Sequence, residues 1–206
     1  TGKPLNTLPA PWGTSEDIAA YGSLITTRQM GNRWQASEGP EIIYNAATDY
    51  YYLFVAYDAL DTPYNTRVCR SRNINGPYLG IDGVNLSQDG GEMLPVVTHP
   101  YKFSNSYGWV GISHCAVFDD GNGNWYYASQ GRFPQNVEGN AYSNALMMGH
   151  IRSIKWTSTG WPVVMPERYG AVPQIAITED ELVGNWEHID LSYSYGKQQE
   201  SSNRTL

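Results

Sequence analysis

The 206-residue sequence predicts an all-β protein, and three observations carry that prediction. Apolar residues fall in short runs bounded by turn residues, with almost no 3.6-residue periodicity. The 21 Gly and 12 Pro are spread along the chain instead of clustering, as short strands joined by tight turns require. Aromatics reach 13 % while charged residues are held to 16 %, which suits half-buried strands and reverses the balance of a disordered chain.

The elements follow in order. Residues 1–35 are rich in Pro and Gly and read mostly as loop, with a strand-like stretch at 22–28. Residues 41–45 form a short apolar run, the polar 46–49 a turn, and 50–57 a second run. A loop carrying Asp58, Asp61 and Pro63 leads to a strand over 65–73, and Gly76-Pro77-Tyr78 opens a fourth strand ending at Ile81. The same order recurs downstream: 116–118, a turn at Asp119-Asp120-Gly121-Asn122-Gly123, an aromatic strand over 124–129, a long strand over 145–156, and Gly160-Trp161-Pro162 opening 163–166. Tyr51 to Trp125 spans 74 residues and Val68 to Met148 spans 80, so these are two divergent copies of one four-stranded antiparallel unit. Tandem units of this kind suggest propeller blades. Two blades cannot close a ring, and a blade is not expected to be stable without neighbours. After Pro173 the character changes. Residues 175–177, Thr178-Glu179-Asp180-Glu181 and 184–189 read as the entry to a new small β-rich unit, dividing the chain into 1–174 and 175–206.

Composition excludes several function classes. The net charge is −7 and no basic cluster exceeds the scattered Arg67, Arg70 and Arg72, so a phosphate backbone would be repelled and nucleic acid is not an expected partner. No stretch reaches the length of a transmembrane helix, and no membrane partner is expected. The 7 Trp and 16 Tyr suit a neutral sugar, whose C–H faces pack on aromatic rings, although the same residues also serve as strand and core. Cys69 and Cys115 lie in apolar runs with no C-x-x-C spacing, which predicts two buried free thiols, with a disulfide between them as the alternative. The chain has no G-x-S-x-G, no Gly-rich phosphate loop and no H-E-x-x-H. The run from Asp119 to Asn124 has the composition of a calcium loop but lacks the closing Glu, and reads as a hairpin turn.

Sugar hydrolysis needs two carboxyl groups flanking the scissile bond. Glu38, in Trp34-Gln35-Ala36-Ser37-Glu38-Gly39-Pro40, is the candidate acid. Gly39 and Pro40 make a rigid entry to a strand, and a nearby Trp would dry the carboxyl and keep it protonated. His114 lies 76 residues on, close to the repeat offset, so both side chains can point into one axial cavity. On residues alone a loop Glu is also simply a solvated charge, and a His in an apolar run a hydrogen-bonded core residue.

Several motifs together resemble glycoside hydrolase family 43. They are Ser37-Glu38-Gly39-Pro40-Glu41-Ile42-Ile43-Tyr44, Tyr50-Tyr51-Tyr52-Leu53-Phe54, and Arg70-Ser71-Arg72-Asn73-Ile74-Asn75-Gly76-Pro77-Tyr78. Phe103 to Trp109, Ser113-His114-Cys115-Ala116-Val117-Phe118 and Leu146 to Arg152 narrow the resemblance to the two-domain endo-arabinanases. It implies part of a five-bladed β-propeller, with two to three blades present over 1–174, followed by the start of an accessory β domain at 175–206. It further implies a secreted or periplasmic enzyme that hydrolyses α-1,5-linked arabinofuranosyl chains in arabinan with inversion. Glu38 maps onto the general acid. His114 maps onto the histidine that reaches a calcium, or another cation such as sodium, held mostly by water. Trp34, Asn65 and Arg132 are the expected substrate-binding positions. The family's general base is an Asp well upstream of the Glu motif, and Asp17, the only Asp before Glu38, matches neither Asp motif. The resemblance therefore implies a chain inactive alone, completed by a second polypeptide or an N-terminal segment. A non-catalytic arabinan-binding propeller and an exo-acting arabinofuranosidase or xylosidase are the alternatives.

Overall fold

The computed structural model describes residues 22–28, 37–88, 93–135, 137, 147–172, 175–190 and 192–206. Four strands make one antiparallel sheet in sequence order: β1 (Ser37–Asn45), β2 (Tyr50–Tyr57), β3 (Asn65–Ser71) and β4 (Val96–Thr98). After the two-residue β5 (Tyr101–Lys102), a second antiparallel sheet repeats that order with β6 (Ala116–Asp119), β7 (Trp125–Gly131), β8 (Met148–Trp156) and β9 (Pro162–Val164). The expected duplication is present, and the described residues are β-strand and loop apart from one short helix.

Strand β2 shows why its sequence is apolar without a break. Side chains alternate between faces, and both faces of β2 are covered. Tyr52 and Phe54, with Val68 of β3, pack against Val117, Tyr127, Ile154 and Val164 of the second sheet. Leu53, Val55 and Tyr57, with Cys69, face the other way onto Tyr78, Leu86 and Met93. Each such side chain, fully buried, contributes roughly 1.5–3 kcal/mol. Among the described residues, the apolar core packs against one face of the second sheet. Phe118 (44 % exposed) and Ile151 (45 %) lie on its other face, where Phe118 stacks on Tyr126 at 5.5 Å and Tyr126 meets Tyr169 at 5.0 Å.

A buried polar network ties the sheets together. Thr66 Oγ1 lies 2.7 Å from Ser113 Oγ and 2.6 Å from the Tyr127 hydroxyl. Ser113 donates to the Asn65 carbonyl at 2.9 Å, and Thr98 to that of Ile112 at 2.6 Å. At the far end Arg70 is sandwiched between Tyr50 and Trp161, 4.3 Å from each ring, and donates to the Thr159 carbonyl at 2.7 Å.

Two expectations are corrected. Residues 22–28 form no strand; Thr27 donates to the Leu86 carbonyl and Arg28 pairs with Asp58 at 3.2 Å. The fourth strand of the first sheet is not 78–81 but β4. Leu79 makes a single bridge to Arg70, because the chain turns back through Gly80 and Gly83 so that Leu86 bonds Tyr78, tucking both rows under β2 and β3. The stretch after Thr178 carries one helical turn: in α1 (Glu179–Leu182) the Glu181 carboxylate accepts from the Thr178 amide at 2.8 Å, the return half of a capping box.

The C-terminal residues add β10 (Asn185–His188), paired with β12 (Ser202–Thr205), and β11 (Gln199–Glu200), which runs parallel to β5. The two cysteines are buried and free, as expected; burial pushes the Cys115 thiol up to about 12. The Asp119–Asn124 segment is the expected turn, with Asp120 Oδ1 capping the amides of Asn122 and Asn124.

Candidate active site

Glu38 is the second residue of β1, at the end where the ladder is irregular. Glu38 pairs with Ala56, but Glu41 pairs with Phe54, so the two residues Gly39 and Pro40 stand opposite one. This is a β-bulge, and Gly39 takes the left-handed conformation (φ +54°) that such a bulge asks of glycine. Pro40, with no N–H, loses nothing by sitting in a break of the ladder. The bulge turns Glu38 out of the regular pleat.

His114 comes from the loop that enters β6. Its φ is +57°, unusual for a residue with a Cβ, and Ser113 beside it is anchored to Asn65 and Thr66. The ring lies on Gly39: a Cβ there would stand 2.8 Å from His114 Cδ2. Glycine is thus needed twice at this position, for its conformation and for the space. His114 Nδ1 and Glu38 Oε1 are 3.7 Å apart, beyond hydrogen-bond length.

The link between them is Tyr64, which sequence reasoning missed. Its hydroxyl donates to Glu38 Oε1 at 2.5 Å and lies 3.2 Å from His114 Nδ1. The ring is fully buried (0 % exposed), and burial followed by the hydrogen bond to Glu38 drives the phenol far above its ordinary range, so it keeps its proton. Tyr64 sits in a loop with no periodicity, and no signal in the sequence singles it out.

Asn65 and Arg132 lie beneath this site, not on its surface. Asn65 is fully buried, its Nδ2 shared among the Pro63 carbonyl (2.9 Å), Asp58 Oδ2 (3.1 Å) and the Tyr57 carbonyl (3.3 Å), while Oδ1 accepts from Arg67 at 2.9 Å. Arg132 is also fully buried, occupies the space left by Gly111, and donates to the Leu60 carbonyl. Both therefore hold the 58–64 loop that carries Tyr64. Trp34 lies outside the described residues. The expected dry setting of the acid is not built by the described residues, since the Glu38 side chain is 53 % exposed. Asp58, at the same sheet end, is buried and committed to Arg28, Asn65 and Tyr193 (2.5 Å). No group of three or more His, Cys, Asp or Glu side chains able to hold an ion occurs among the described residues.

A carboxyl presented at a sheet end, with a hydroxyl and an imidazole converging on one of its oxygens, is a site for acid–base chemistry. The model of the glycosyl hydrolases family 43 matches residues 13–162, and the chain belongs to that family. An extracellular endo-α-(1→5)-L-arabinanase of Thermotoga petrophila is 30 % identical over 179 residues, covering 79 % of this chain and 36 % of that protein. Extracellular endo-α-(1→5)-L-arabinanase 2 of Bacillus subtilis is 27 % identical, covering 78 % and 37 %. The crystal structure of the endo-1,5-α-L-arabinanase from Thermotoga petrophila RKU-1 superposes with a TM-score of 0.73 at 26 % identity, over 84 % of this chain and 40 % of that one. The chain thus spans little more than a third of the length of these relatives.

Proposed function

We propose that this chain is the acid-bearing part of an arabinan-degrading glycoside hydrolase, with Glu38 as general acid. The observation that carries the reading is the convergence of Tyr64 and His114 on Glu38 Oε1 at the bulged end of β1. Glu38 delivers its proton to the leaving glycosidic oxygen while a carboxylate on the opposite face of the sugar activates water. In the inverting geometry the two carboxyl groups stand about 6.5–9.5 Å apart. Asp58 is unsuited to be that base because its oxygens are already engaged. The base is therefore assigned to an upstream segment, covalent or separate, that completes a five-bladed propeller. The open face bearing Phe118, Tyr126 and Ile151 is where such a sheet would pack, and residues 175–206 then begin the accessory β domain.

The relatives' names support arabinan or arabino-oligosaccharides as substrate, endo action and secretion. His114 is the residue that would face a cation, calcium or another such as sodium, whose remaining ligands would be water. Its contribution would be electrostatic, orienting the acid. Native mass spectrometry of the purified material, beside an assay on debranched arabinan, tests the whole. Arabino-oligosaccharides of mixed length from an assembly carrying the upstream segment, abolished by Glu38→Gln, are expected. Undiminished turnover in that variant overturns the assignment of the acid, and release of arabinose alone overturns endo action.

A further inference from the structure

The hydroxyl of Tyr64 has one proton and, among the described residues, two hydrogen-bonding neighbours. It stands 2.5 Å from Glu38 Oε1 and 3.2 Å from His114 Nδ1. A proton shared unequally between two contacts belongs to the shorter one, and an ionised carboxylate oxygen can only accept. The Tyr64 proton therefore points at Oε1, and the hydroxyl oxygen turns its lone pairs toward Nδ1. Two lone pairs facing each other at 3.2 Å would repel, so Nδ1 must carry a hydrogen. A neutral imidazole has one N–H in all, so Nε2 carries the lone pair. The ring's Cδ2, Cγ and Nε2 lie over Gly39, 2.8–3.0 Å from where a Cβ would stand.

The same bond has a consequence for the acid. With Oε1 occupied as an acceptor from Tyr64, the carboxylic proton of Glu38 resides on Oε2. When that proton leaves, the Tyr64–Oε1 bond becomes charge-assisted and strengthens, so it favours the transition state over the ground state.

We propose that Tyr64 is a positioning residue that sets the hydrogen-bond polarity of the whole pair. It holds His114 as the Nδ1–H tautomer, with Nε2 left as a lone-pair donor toward a cation or a water proton, and it directs the acid proton of Glu38 to Oε2. The second half rests on Glu38 being the general acid; the first does not.

The test begins on the 206-residue chain itself, with 15N-labelled histidine and long-range proton–nitrogen correlation spectra on neutral imidazole, assigned by loss of signals in His114→Gln. The wild-type His114 is expected to show a protonated Nδ1 and a bare Nε2. Tyr64→Phe keeps the buried ring and removes the hydroxyl, and should release His114 toward the Nε2–H form. A wild-type Nε2–H pattern overturns the proposal without any variant, and an unchanged pattern in a folded Tyr64→Phe protein does so as well. The kinetic arm uses the active assembly. Tyr64→Phe is expected to lower kcat on arabinan by about 100-fold, the cost of a misplaced catalytic group, with KM unchanged. On an aryl arabino-oligosaccharide whose leaving group needs no proton, the loss should be much smaller. An equal loss on both substrates overturns the role in directing the acid proton. Absence of wild-type turnover on arabinan would instead count against the proposed function, and the tautomer measurement would still decide the first half.

Discussion

Gly39→Ala is the perturbation whose consequences the structure defines most closely. Two costs arise. An alanine at φ +54° pays the left-handed penalty, about 1–2 kcal/mol. The added Cβ would also stand 2.8 Å from His114 Cδ2 and 3.0 Å from Cγ and Nε2. Were the ring locked, overpacking would add about 1–3 kcal/mol. It is not locked: the His114 side chain is 56 % exposed and can swing toward solvent. The clash is relieved by giving up the 3.2 Å contact with Tyr64, so global stability falls by only the backbone strain, about 1–2 kcal/mol, while His114 leaves the site. Urea denaturation followed by tryptophan fluorescence measures the first effect, and the His114 ring signals in proton–nitrogen spectra the second. Turnover in the active assembly should fall further than the stability loss explains. A Gly39→Ala protein with a wild-type midpoint and unmoved His114 signals would refute the account of the bulge.

Two further predictions follow from the interior. Thr66→Val removes the hydroxyl that meets Ser113 at 2.7 Å and Tyr127 at 2.6 Å. Ser113 retains the Asn65 carbonyl and Tyr127 is left with Thr98 at 3.3 Å, so about 2 kcal/mol should be lost, and Thr66→Ser should recover most of it in the same denaturation assay. His150 is 1 % exposed, has no hydrogen-bond partner among the described residues, and burial lowers it to about 4. A histidine lowered when folded binds its proton more readily when unfolded, so its contribution is fully present above about pH 6.5 and is lost as pH falls toward 4. The loss should reach about 2–3 kcal/mol. Urea midpoints from pH 7 to 4.5 should fall less steeply in His150→Gln; equal slopes would show that His150 does not titrate as described.

Much of this protein was legible in its sequence because it is local. The duplicated sheets show themselves through runs of alternating or continuous apolar residues, and Glu38 and His114 through their motifs and a 76-residue spacing near the repeat. The Gly39-Pro40 pair signals a rigid turn for reasons internal to those two residues. What the sequence did not disclose depends on contacts between distant positions. The row 78–86 has the look of an edge strand, yet it covers the outer face of β2 and β3 because Gly80 and Gly83 fold it back. Asn65 and Arg132 are polar residues beside loops, and only packing determines that they are buried supports. Tyr64 is one of 16 tyrosines, distinguished solely by a hydroxyl that arrives between partners 26 and 50 residues away. Alternation and turns are encoded residue by residue along the chain, whereas the meeting of an acid, a phenol and an imidazole is set by the register of one sheet against the next.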